Sequence, residues 1–142
     1  MKPAILLRIA SVLAIVHAVL HTIGGVFGKP DPGAGETAFA AMQANHFLVM
    51  GLTRSYADFY WGMGLAVTVF LTAEGIIFWQ LGALAKTQAH RLRPTLATFL
   101  VAYLALAVNS CLYFFWAPVV TEVLIGICLG LAIVSAKPAP VA

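Results

Sequence analysis

The sequence predicts an all-α fold: an integral membrane four-helix bundle with an external interfacial or re-entrant helix between its first and second spans. Three observations carry this expectation. Of 142 residues, 62% are hydrophobic and 9% charged, whereas about a quarter of a soluble domain is charged. The mean hydropathy is +0.97. Four apolar runs, 4–27, 59–84, 95–117 and 119–136, are each long enough to cross a bilayer; at about 1.5 Å per residue the shortest reaches roughly 27 Å. Because the apolar excess covers nearly the whole chain, the reading is one transmembrane domain over 1–142, not a soluble enzyme with a membrane tail.

The first run opens on Lys2 and Arg8, as a secretory signal would. It reads instead as a retained span, because no Ala-x-Ala precedes a polar start and His17 and His21 lie inside it. The connection 28–58 begins Gly-Lys-Pro-Asp-Pro-Gly-Ala-Gly, which cannot continue a helix. From Glu36 to Leu52 apolar residues alternate irregularly with Gln43, Asn45 and His46; this stretch is too short to span and fits a helix at the outer interface or a re-entrant cap. Pro118 alone separates the third and fourth runs. It disfavours helical geometry at Ala117, so a tight hairpin is expected there, since one helix over 95–136 would measure about 60 Å.

Lys2, Arg8, Lys86, Arg91, Arg93 and Lys137 fall on one side of this topology, against Lys29 and Arg54 on the other. The asymmetry places both termini in the cytoplasm of a bacterial inner membrane. Such scattered bases make no nucleic-acid-binding stripe, so no nucleic-acid partner is expected. Arg8 can snorkel to the inner surface. Tyr56, Tyr60, Trp61, Tyr113 and Trp116 fit an outer aromatic belt and Trp79 an inner one. Cys111 and Cys128 show no metal or disulfide spacing.

His17, His21, Glu74, Asn109 and Glu122 are the residues a bilayer should reject. His17 and His21, spaced i, i+4, share a helical face with Ala10, Ala14 and nearby glycines, a small-residue stripe that packs closely against other helices. Glu122, Gly126 and Gly130 form a second such face. Glu74 is deep and must be neutralised by a cationic partner or by protonation. Together they outline an outward-opening funnel with His17, His21, Glu74 and Glu122 as catalytic candidates. Asn109, His46, Tyr103 and Trp116 are the ligand-binding candidates.

A His/Glu set suits acid–base chemistry on a lipophilic substrate, of isomerase or cyclase type, since such groups can be tuned to exchange protons. The chain lacks G-x-S-x-G, HExxH, GxGxxG and Walker motifs, and no cofactor is expected. Metal ligation by His17, His21 and His46 is a lesser alternative, and haem fits poorly because neighbouring turns of one helix cannot supply both axial ligands. A small proton-coupled carrier using Glu74 and a structural membrane subunit are the remaining readings. The partners implied are a membrane lipid or lipophilic small molecule, with homo-oligomerisation compatible.

The segments His17-Ala-Val-Leu-His21-Thr-Ile-Gly-Gly, Tyr60-Trp-Gly-Met-Gly and Tyr113-Phe-Phe-Trp-Ala-Pro118 resemble, in this order, a family of small uncharacterised four-helix bacterial inner-membrane proteins. The resemblance covers most of the chain and implies the architecture but no activity. In residue types alone, the chain is also similar to membrane sterol isomerases and terpene cyclases, which work on hydrophobic substrates.

Overall fold

A computed structural model describes residues 1–136, of which about 83% are helical. The elements are α1 (Pro3–Leu20), α2 (Ala34–Ala44), β1 (His46–Val49), β2 (Leu52–Ser55), α3 (Tyr56–Gln88), α4 (Arg93–Tyr113) and α5 (Trp116–Ser135). A π-helical turn, His21–Val26, follows α1, and a 3-10 turn, Ala89–Leu92, joins α3 to α4. Three helical runs, Pro3–Val26, Tyr56–Tyr113 and Trp116–Ser135, are long and apolar enough to cross a membrane by length and composition. Lys137, counted among the orienting bases, lies outside the described residues.

The described residues divide into two compact units, one of residues 1–17 and 71–136, the other of 18–70. In the first, α3 and α4 fold back on each other through Gln88, whose φ of −127° leaves helical geometry. The Phe78 ring lies 5.0 Å from Phe99 and 6.0 Å from Tyr103, fixing an antiparallel register. α4 and α5 form the next hairpin. Its turn is at Phe114, which leaves helical geometry, and Phe115, which is extended, and not at Pro118, which sits in the first turn of α5. There a missing N–H costs nothing, because first-turn amides have no intrahelical acceptor, and Ala117 is accordingly helical. Leu7, Ala14, Phe78, Leu96, Tyr103, Ile125 and Leu129 form the core of this unit.

α1 meets α3 through small residues. Ser11 Oγ donates to the Gly75 carbonyl at 2.6 Å, and a Cβ on Gly75 would fall 2.6 Å from Ile15 Cδ1 and 3.3 Å from the Ser11 carbonyl oxygen. Gly75→Ala is therefore expected to destabilise by about 1–3 kcal/mol through overpacking, read as a lowered melting temperature in detergent. Gly130, with no atom within 4 Å of its would-be Cβ, is the control. Gly130→Ala should not lower stability.

The second unit corrects the purely helical expectation for 36–52. The helix α2 ends at Ala44, and β1 and β2 pair as an antiparallel hairpin with His46 opposite Ser55 and Val49 opposite Leu52. Met50 (φ 48°) and Gly51 (φ 81°) form its turn, with the two positive φ values that match strand twist. Ser55 and Asp58 then start α3 reciprocally: Asp58 Oδ2 accepts from Ser55 N at 2.7 Å and Ser55 Oγ accepts from Asp58 N at 3.1 Å. The aromatics expected as a belt hold this segment in place. Phe47 packs 4.9 Å from Tyr56 and 5.3 Å from Phe59, and Phe39 lies 5.6 Å from Trp61.

Candidate functional site

Within the first unit, α4 presents two hydroxyls seven residues apart, hence on one helical face. Each reaches a carboxylate on a different neighbour. The Tyr103 hydroxyl donates to Glu74 Oε2 on α3 at 2.8 Å, and the Ser110 hydroxyl donates to Glu122 Oε1 on α5 at 2.9 Å. Tyr103 is 1% exposed and Glu122 5%; Glu74 is half-buried. Glu122 Oε2 is buried with no hydrogen-bond partner among the described residues. An unpaired buried carboxylate oxygen is costly.

Not every predicted site residue joins the cluster. His17 is half-buried on α1 in the first unit. Asn109, a ligand-binding candidate, is exposed on α4, one position from Ser110, whose hydroxyl makes the contact to Glu122. Trp116, 76% exposed, opens α5. Tyr103, a ligand-binding candidate, is buried in the helix core.

His21 and His46 belong to the second unit. His21 begins the π turn, and its Nε2–H donates to the Gly64 carbonyl at 3.0 Å. The same turn is tied down by Thr22 Oγ1, 2.9 Å from Thr68 Oγ1, and by the Tyr60 hydroxyl donating to the Gly25 carbonyl at 2.7 Å. His46 is exposed on β1 and bonds locally, its Nδ1–H donating to the Ala44 carbonyl at 3.0 Å. Among the described residues no group of three His, Cys, Asp or Glu side chains is placed to hold a metal ion.

The first unit also carries an open apolar groove of about 340 Å³ between α1 and α3. Ser11 and Gly75 line it together with Val12, Ile15, Val16, Ile76 and Trp79. Arg8 does not simply extend away from the helix: its guanidinium carbon stacks 3.4 Å from the Trp79 ring centroid. Sequence reasoning missed both Ser110 and this stack. Ser110 offered no signal beside the larger Asn109, whereas Arg8 and Trp79 were each visible as residues but assigned separate anchoring roles.

No protein-family model matches the sequence, and no curated protein or solved structure matches it.

Proposed function

We propose that this is a polytopic inner-membrane protein with cytoplasmic termini, and that its first unit is a proton-coupled carrier site for a lipophilic cation. The observation that supports this reading most is the Glu74–Tyr103 contact, a carboxylate hydrogen-bonded inside an aromatic and aliphatic helix cluster. A carboxylate in such surroundings can exchange a proton for a monovalent cation with no change in local charge. The Phe78, Phe99 and Tyr103 rings provide faces suited to a soft organic cation. Glu122 supplies the second carboxylate.

Burial favours a carrier over acid–base conversion of a lipid. At 1% and 5% exposure, Tyr103 and Glu122 admit a proton but no substrate without a conformational opening, which alternating access provides and a preformed catalytic pocket does not. The strongly exposed Val101, Leu104 and Val134 on these helices fit a lipid surround. Tetraphenylphosphonium added to the purified protein in weakly buffered detergent should release protons as it binds. Binding without proton release, or no binding, overturns the carrier reading; conversion of a lipophilic substrate would restore the isomerase or cyclase alternative.

A further inference from the structure

We propose that the groove between α1 and α3 is a binding site for an anionic glycerophospholipid, with an acyl chain along Val12, Ile15, Val16 and Ile76 and the phosphate on the Arg8 guanidinium. The inference rests on the membrane reading above but not on the carrier site. Glu74 and Phe78 face α4, whereas Gly75 and Trp79 face α1.

The groove's chemistry selects the ligand. Its volume of about 340 Å³ falls at the small end of ligand pockets, about 300–1,000 Å³. Apart from Ser11 its side chains are apolar or aromatic, and the Ser11 hydroxyl is already donated to the Gly75 carbonyl at 2.6 Å. A polar solute would find little there to recognise it, whereas an acyl chain needs nothing more.

Trp79 is both a wall of the groove and the platform for Arg8, 3.4 Å from its centroid. Stacking occupies the flat face of the guanidinium, while its N–H donors lie along its edges in the plane that suits a phosphate. Gly82 makes the berth: a Cβ there would fall 3.2 Å from Arg8 Nε.

The order along the helix matches the order along a lipid. Arg8 lies towards the N-terminal end of α1, and the groove continues past it to Val16, roughly 12 Å further along the axis. Lys2 and Lys86 flank the same end of the α1–α3 pair, where Gly82 approaches the Ala4 carbonyl; Arg91 lies in the adjoining 3-10 turn and Arg93 opens α4. The segments 1–17 and 77–121 contain no Asp or Glu. This end therefore offers an anionic headgroup five bases and no competing carboxylate from those segments.

Native mass spectrometry of delipidated protein in mild detergent tests the site, with phosphatidylglycerol, phosphatidylcholine and inorganic phosphate as probes. Wild type should retain phosphatidylglycerol over phosphatidylcholine by about tenfold or more, Arg8→Gln should bring that ratio near one, and Arg8→Lys should recover part of it. Val12→Trp, at a position 54% exposed, should fill the groove and weaken both lipids while helicity by circular dichroism is unchanged. Equal lipid retention by wild type, Arg8→Gln and Val12→Trp overturns the proposal. Displacement of phosphatidylglycerol by inorganic phosphate also overturns it, by showing a free-anion site. Retention of the wild-type chain in carbonate-washed membranes tests the membrane reading separately, so a membrane-integral protein without the headgroup preference defeats this inference alone.

Discussion

Glu74→Gln is expected to abolish the proton release, at most about one proton per bound ligand, coupled to tetraphenylphosphonium binding. The glutamine carbonyl can still accept the hydrogen bond that Tyr103 donates at 2.8 Å, so packing and the contact between α3 and α4 survive. What disappears is the group that alternates between proton and cation. His21→Ala and His46→Ala should be nearly silent in the same assay, because His21 Nε2 and His46 Nδ1 each bond a backbone carbonyl, of Gly64 and Ala44 respectively, in the second unit. If His17→Ala and His21→Ala impair activity as severely as Glu74→Gln, the histidines share the chemistry, and acid–base catalysis replaces the carrier.

Tyr103→Ala should cause the largest loss of stability, about 3–5 kcal/mol, because the site cannot collapse around a ring packed among three helices. The residue is 1% exposed, belongs to the core with Leu96 and Ile125, and lies 6.0 Å from Phe78. Tyr103→Phe separates ring from hydroxyl. It keeps the volume but removes the donor to Glu74, at a cost of about 1–3 kcal/mol. Denaturant unfolding in detergent micelles, followed by helicity, measures both. Equal losses would mean that the hydrogen bond, not the ring, holds α3 to α4; two silent variants would remove Tyr103 from the core.

The long helices were legible because hydropathy is a property of whole segments and survives errors at individual residues. The turn between α4 and α5 was misplaced by about three residues because proline was read as a terminator, although it is equally suited to a helix's first turn. The hairpin of 46–55 was hidden by its turn, Met50-Gly51, which lacks the Asn-Gly or Asp-Gly pair that usually announces one. Glu74 and Glu122 stood out because each is an acid in an apolar run. Their partners did not. α4 is apolar around nearly its whole circumference, so no pattern distinguished the face of Tyr103 and Ser110 from that of Asn109.

The π turn at His21–Val26 changes how positions along the first helical run must be counted. The Phe27 amide reaches back five residues to the Thr22 carbonyl, at 3.0 Å, so this turn holds one residue more than an α-helical turn would. That residue is slack in the chain's register. An α-helix advances about 100° per residue, so positions before and after the turn fall out of the phase that i, i+4 counting assumes. The stripe from Ala10 and Ala14 cannot be carried through to Gly28 by steps of four. Loss of one glycine from Gly24–Gly25 would remove that slack and shift the Gly25 carbonyl, which accepts from the Tyr60 hydroxyl at 2.7 Å, so the turn's attachment to α3 depends on the extra residue.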